Sequence, residues 1–264
     1  MPDGLHGIEL GVHGAVTITY DAASEAIFAA FTTPPNDTRK GLIDAVVVAL
    51  KAASLWAKID VLYLLAAADA QAAKVNWKAP GTADSTEVNA PTFTADRGFT
   101  GASTKYLDTN YNPSSFSGRV YAQNSASAFA FSVTNSSVDA GMIGNTGGTI
   151  ILFPRNTSNL AQGRLNINST TTSVASTDSI GLWGANRTTS TAQQLYKNGS
   201  SVATAAGTSA AVFNGNAQLM KSGASPVYWT GQLGCAGLGS SLTAGEHLDL
   251  YNAINPYLVG VGAA

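Results

Sequence analysis

The sequence predicts a mainly β protein, a sandwich or jelly roll, with a strand and helix appendage at its N-terminal end and a helix closing the chain. Three observations carry this. From Trp77 onward, short alternating segments recur between clusters of Gly, Asn, Ser and Pro, the signature of many short strands joined by turns. Leu195-Tyr196-Lys197-Asn198-Gly199-Ser200 sets two strand-like runs around Asn-Gly, the pair favoured in a two-residue type I′ hairpin because both central residues need positive φ. No fixed-period repeat is present, which argues against a propeller or solenoid.

Taken in order, residues 15–20 (AVTITY) alternate as a half-buried strand does, and residues 26–31 (AIFAAF) read as a second strand. Pro34-Pro35 interrupts the chain before Asp37 or Thr38, either of which can cap a helix over residues 39–56. On that helix Ile43, Val46, Val47, Leu50 and Ala53 form one apolar face, leaving Arg39, Lys40 and Lys51 for solvent. The run Val46-Val47-Val48 lowers intrinsic propensity, so the helix should depend on docking that face. Residues 59–66 (IDVLYLLA) are expected to form a buried strand, after which Asp69 caps a short helix near residues 70–76. Strands are then expected at residues 86–89, 106–109, 127–134, 149–153, 164–168, 180–185 and 193–197. Ser241 or Thr243 caps a closing helix whose apolar side is read as Leu248, Tyr251, Ile254 and Leu258, with Pro256 weakening its last turn.

The chain's 264 residues suffice for one large β domain and an appendage. The expected division is residues 1–76, a strand/helix attachment region, and residues 77–264, the jelly roll. Only 11% of residues are charged and the net charge is -2, so the basic face that binds a phosphate backbone is missing, which argues against nucleic acid as a partner. The long uncharged windows are rich in Ser, Thr, Asn and Gly, so membrane insertion is not expected. The N-terminal MPDGLHGIEL lacks a basic segment followed by an apolar one, so no secretory signal is read. A single cysteine, Cys235, excludes an intrachain disulfide framework, and its setting GQLGCAGLG reads as a small, buried strand position.

The segment Leu195-Tyr196-Lys197-Asn198-Gly199 resembles a hairpin of concanavalin A-like, laminin-G-type jelly rolls. Residues 233–239 followed by Leu242-Thr243-Ala244-Gly245-Glu246 and Leu250-Tyr251 resemble that family's closing strand and helix. The fuller layout, with residues 56–60 (WAKID), 72–77 (AAKVNW) and 92–101 (TFTADRGFTG), is similar to structural proteins of tailed bacteriophages and prophages. That resemblance implies a virion-surface protein, a fibre, spike or decoration, assembled in the bacterial host cytoplasm. Its partners would be other virion proteins, sister copies in an oligomer such as a trimer, and a host surface glycan. The alternatives are a virion-associated polysaccharide depolymerase and a capsid or tail cement that binds no glycan.

Glucanases of this fold place paired carboxylates on one strand, but between Gly101 and Ala264 the acids are Asp108, Asp139, Asp178, Glu246 and Asp249, none two apart. No catalytic residue is therefore assigned. Asp108 with Asn110 and Asn112, or Asp139, offer oxygen ligands of the kind calcium takes, yet Asp and Asn in turns more often bond the backbone. The histidines His6, His13 and His247 have no zinc-binding spacing, and no metal or cofactor is expected. Residues 144–149 (GNTGGT) lack the ending of a phosphate loop and open into a strand, so they read as a turn. The candidates for ligand contact are aromatic. A sugar's CH face stacks on Trp or Tyr while amides and guanidinium groups bond its hydroxyls, which nominates Trp183, Asn186, Arg187, Tyr228 and Trp229. The competing reading puts both tryptophans in the core, and adjacent strand residues such as Tyr228 and Trp229 must face opposite ways.

Overall fold

In the computed structural model, residues 19–223 and 226–264 are described, and the expected strand at residues 15–20 lies largely outside them. Helices form where the sequence supplies caps. Helix α1 (Ala22–Ala30) starts at Asp21, whose carboxylate accepts the Ala23 N–H. It replaces the strand expected at residues 26–31, because an alanine-rich segment with Ile27 and Phe31 four apart satisfies helical propensity and periodicity better than alternation. Helix α2 (Asp37–Ala52) is capped one residue earlier than expected, by Asn36, and buries Ile43, Val46, Val47 and Leu50. It ends where Ser54 turns to φ 60°. Helix α3 (Ala70–Lys74) is capped by Asp69 as the sequence indicates. Helix α4 (Ala244–Gly260) opens with a reciprocal Thr243–Glu246 capping box.

The strands in chain order are β1 (Ile59–Tyr63), β2 (Thr86–Val88), β3 (Thr92–Thr94), β4 (Gly98–Thr100), β5 (Tyr106–Asp108), β6 (Ala126–Ser132), β7 (Ile143–Gly144), β8 (Ile150–Phe153), β9 (Leu160–Leu165), β10 (Thr172–Ala175), β11 (Gly181–Arg187), β12 (Ala192–Lys197), β13 (Ser200–Ala206), β14 (Gln218–Leu219), β15 (Lys221–Ser222), β16 (Val227–Tyr228) and β17 (Gln232–Gly239). The first sheet runs β13-β12-β11-β6-β17-β4-β3, and β1 pairs with the far half of β17. The second runs β10-β9-β8-β7-β14-β5-β2, and β15-β16 is a separate hairpin. All these pairings are antiparallel. The protein is thus a mainly β, jelly-roll-like sandwich with helical caps. Strand β9 begins earlier than residue 164 and stops at Leu165, because Asn166 takes φ 52°.

Strands β6, β11 and β17 are buried along their whole length. Away from the second sheet, helix α4 packs on β11 and β17, with His247 against Gly184 and Leu258 against Gly234, so simple inside-outside alternation of polarity is lost at the centre. Helix α4 presents His247, Leu250, Ala253, Ile254, Tyr257 and Leu258 inward, while Leu248 is 46% exposed. The apolar side read through Leu248 and Tyr251 is therefore rotated. The residue seated on the sheet in the first turn is His247, stacked on Tyr196 at 3.7 Å and 17°. Pro256 lies on the exposed side, and the helix continues through it to Gly260. Residues on either side of position 76 are joined by hydrogen bonds: β1 pairs with β17, and the Trp77 N–H donates to the Leu62 carbonyl at 2.8 Å. Among the described residues no helix is long and apolar enough to cross a membrane.

The Asn-Gly hairpin forms as predicted, with Lys197 paired to Ser200 and φ of 48° at Asn198 and 80° at Gly199. Its tip also has tertiary duties. The Asn198 amide oxygen accepts the Leu182 N–H at 2.8 Å, and a Cβ at position 199 would lie 2.7 Å from Leu248 Cα on helix α4. Gly199→Ala should therefore combine left-handed strain with a backbone clash and destabilise by about 2 kcal/mol. A denaturant midpoint unchanged from wild type would contradict that.

Candidate functional site

Four of the five residues nominated for ligand contact are built into the core. Along β11, Arg187 reaches the second sheet, where Nε donates to the Leu165 carbonyl at 2.6 Å, and Asn186 faces helix α4, exchanging hydrogen bonds with the Leu242 backbone at 2.8 and 3.0 Å. Alternation puts the two on opposite faces, so they cannot converge on one ligand. Trp183 is 1% exposed, and its indole N–H donates to the Ser179 carbonyl at 2.9 Å. Trp229 is fully buried. Arg187 is also buried, and burial lowers its pKa, with the Tyr121 hydroxyl opposing. Its Nη1 donates to the carbonyls of Thr189, Ser190 and Gly207, so the guanidinium ties these backbone segments together.

Tyr228 alone of the five keeps a partly exposed ring. It sits on β16 directly opposite Lys221 of β15, a pairing that puts both side chains on one face of the hairpin. Tyr106 from β5 comes up beside them. The two tyrosine rings are 6.2 Å apart and inclined by 40°, and the Lys221 ammonium lies 4.2 Å from the Tyr106 centroid. Both rings are half-buried. Together they form a tilted aromatic cluster in which the Lys221 ammonium lies over one face of Tyr106, leaving the Tyr228 ring as the candidate to stack on the CH face of a pyranose. Tyr106 and Lys221 carry no signal of this in sequence. Alternation predicts a strand containing Tyr106, but its neighbour across the fold depends on how β5 meets the β15-β16 hairpin.

Elsewhere, the charged side chains beside aromatic and hollow features are already engaged. Trp56 is the one tryptophan of four that is not fully buried. Its ring carries Lys78 at 4.9 Å and Lys51 at 5.9 Å. Both lysines are anchored, Lys78 on the Trp56 carbonyl and Lys51 on Asp21 at 2.5 Å. A hollow of ≈ 260 Å³ between the α1-α2 loop and helix α3 is walled by Phe31, Pro34, Pro35 and Ala72. Its arginine is already engaged, Arg39 donating to Asp96 at 2.6 Å and to the Tyr257 hydroxyl at 3.3 Å.

The carboxylates of the sandwich are engaged separately, by backbone N–H groups and by side chains. Asp108 accepts the Asn110 N–H at 2.8 Å, as the turn reading anticipates, whereas Asp139 reaches across to Thr157, accepting its N–H at 3.1 Å and its hydroxyl at 2.6 Å. Asn112 likewise accepts the Ser114 N–H at 2.9 Å. Glu246 accepts from Lys58 at 2.6 Å and from the Thr243 N–H at 2.8 Å. Burial alone would raise its pKa, but these partners outweigh it and hold it low. Among the described residues no group of three or more His, Cys, Asp or Glu side chains is placed to hold a metal ion. Cys235 is fully buried on β17, and burial pushes its thiol pKa well up, so it acts as a small apolar side chain.

The fold defines the chain as a jelly-roll-like β-sandwich, with a half-buried tyrosine pair beside the β15-β16 hairpin. No protein-family profile matches it, and no curated protein matches it. Solved structures do. The botulinum neurotoxin serotype D binding domain is 14% identical with a TM-score of 0.51, over 75% of this chain and 52% of that one. A Trypanosoma rangeli sialidase mutant displaying trans-sialidase activity is 11% identical with a TM-score of 0.50, over 82% of this chain and 39% of that one. The chain thus spans between about two-fifths and a half of the length of these structures, and at such identities the likeness is one of fold.

Proposed function

We propose that this chain is a saccharide-binding protein that holds a glycan against the Tyr106–Tyr228 surface without cleaving it. The observation that carries the proposal is that pair of half-buried rings with the Lys221 ammonium over Tyr106. The fold likeness supports it, since one of the similar sandwiches is a toxin's binding domain and the other belongs to a sialidase. The sequence resemblance to phage structural proteins supplies the setting: a virion-surface fibre, spike or decoration that adheres to a host glycan. In that setting residues 1–76 contribute to attachment on the particle or to sister chains.

Glycan-array screening followed by calorimetry on the best saccharide tests the reading. Tyr228→Ala and Tyr106→Ala are each expected to weaken binding about tenfold, the order of effect when one stacking ring is removed from an interface. Unchanged affinity in both folded variants would move the binding site away from these rings, and no saccharide bound at all would reduce the protein to a cement. Release of reducing ends from a bound polysaccharide would move the reading to a depolymerase. Trp183→Ala and Trp229→Ala are the wrong probes, because both rings are core and their loss reports on folding.

A further inference from the structure

The lysines of this chain divide sharply by what their ammonium groups touch. Of eight, Lys40, Lys51, Lys58, Lys74 and Lys197 are ion-paired, with Asp37, Asp21, Glu246, Glu87 and Asp178. Lys78 donates to the Trp56 carbonyl. Among the described residues, the ammonium groups of Lys105 and Lys221 alone make neither an ion pair nor a hydrogen bond. Of these two, Lys221 belongs to the aromatic cluster, its ammonium lying over the Tyr106 ring, whereas Lys105 only precedes Tyr106 in the chain. The nearby carboxylates are committed elsewhere. Glu87, on the strand next to β5, pairs with Lys74 at 2.7 Å, and Asp108 is held by the Asn110 N–H and by Asn216 Nδ2, both at 2.8 Å.

We infer that the saccharide taken at Tyr228 and Tyr106 is an acidic one, whose carboxylate or sulfate is bound by the ammonium of Lys221. This rests on the saccharide-binding reading and sharpens it to a ligand class. Tyr228 supplies an apolar face for the ring, and Lys221, opposite it in the hairpin, supplies the charge at the ring's edge. Lys221 is 9% exposed and its ammonium lies over the Tyr106 ring, so a ligand would meet a partly covered ammonium rather than one in open water. That matters for magnitude. An ion pair formed in open water contributes little, whereas a charge-assisted hydrogen bond at a partly covered ammonium is worth about tenfold or more in affinity. Lys105 adds a second positive charge beside the same strand, which raises the local concentration of an anionic glycan and makes capture sensitive to salt.

The test pairs acidic glycans with neutral counterparts of the same ring skeleton. The panel holds uronate oligosaccharides and their carboxyl-reduced forms, sialylated glycans and their asialo forms, and sulfated glycans with their desulfated forms. The expected result is that one acidic class binds at least about tenfold tighter than its neutral counterpart, which also tells carboxylate from sulfate. Lys221→Met should bring that class down to the neutral level and flatten the salt dependence, and Lys221→Arg should restore the preference. Tyr228→Ala should weaken acidic and neutral members alike. Equal binding of each acidic and neutral pair by the wild type, or a preference that survives Lys221→Met, overturns the acidic assignment while leaving saccharide binding intact. Absence of binding to every member overturns both. Circular dichroism and thermal midpoints of each variant show that the comparison is made on folded protein.

Discussion

Replacing Asp60 by alanine is expected to destabilise the fold by about 3–5 kcal/mol, since three donors lose their buried acceptor at about 1–3 kcal/mol each. Asp60 lies in β1 where the register with β17 shifts between Ile59 and Val61, and it is 6% exposed. Its Oδ1 accepts the Val120 N–H at 2.7 Å, and its Oδ2 accepts the Tyr121 N–H at 2.9 Å and the Tyr111 hydroxyl at 2.7 Å. The fully buried Tyr111 phenol has its pKa pushed far up, by burial first and by Asp60 second. One carboxylate thus pins the connection between β5 and β6, which has no strand of its own from residue 109 to residue 125. Alanine would leave two backbone donors and a phenol without their acceptor. Asparagine keeps one acceptor oxygen and should lose roughly half as much. Urea denaturation measures both, and a shift below about 1 kcal/mol for Asp60→Ala would show that solvent or neighbouring groups replace the carboxylate.

Asp60 also illustrates what the sequence conveys and what it does not. A lone acid inside the apolar run IDVLYLLA signals a buried partner, but nothing local names Val120, Tyr121 and Tyr111 as that partner. The legible features are those set by neighbouring residues: the Asn198-Gly199 turn, the Asp69 cap, the Thr243–Glu246 box and most of the short strands. Expectation and structure part where two local signals compete. Residues 26–31 offer enough large apolar side chains for a strand and enough alanine for a helix, and the Asp21 cap with Ile27 on the buried face decides for the helix. The buried side of α4 differs from the expected one because the inward residue of its first turn is a histidine, which apolar periodicity passes over.

The candidate site is less legible for a related reason. Large aromatics in a sandwich are core by default, and Trp183 and Trp229 follow that default. What makes Tyr228 different is its place on a two-residue strand outside both main sheets, opposite a lysine and beside a tyrosine from β5. Each of those relations is tertiary. Pairing rules put adjacent residues on opposite faces, and here they separate Tyr228 at the surface from Trp229 in the core.

Between pH 6.5 and 4.5 the protein should lose about 2–3 kcal/mol of stability through His247. The imidazole is 3% exposed, stacked on Tyr196, and seated over Gly184, whose absent side chain leaves it room. Its Nε2 has no hydrogen-bond partner. Burial drives its pKa down to about 3, with the nearby Glu246 opposing. A histidine whose folded pKa is depressed stays neutral in the native state while the unfolded chain takes up a proton near pH 6.5, so stability is complete above that value and falls as the pH drops towards the folded pKa. The slope approaches about 1.4 kcal/mol per pH unit. Asp21 and Glu246, whose pKa values are held low in the fold by their lysine partners, withdraw their contributions in the same direction. They do so only below the ordinary carboxylate range, near pH 4, so the two windows are separable. His247→Phe keeps a ring against Tyr196 and removes the proton site. It should unfold with nearly flat stability from pH 6.5 to 4.5 and then rejoin the wild-type decline. A variant that loses stability over that interval as steeply as the wild type would assign the acid sensitivity to another group.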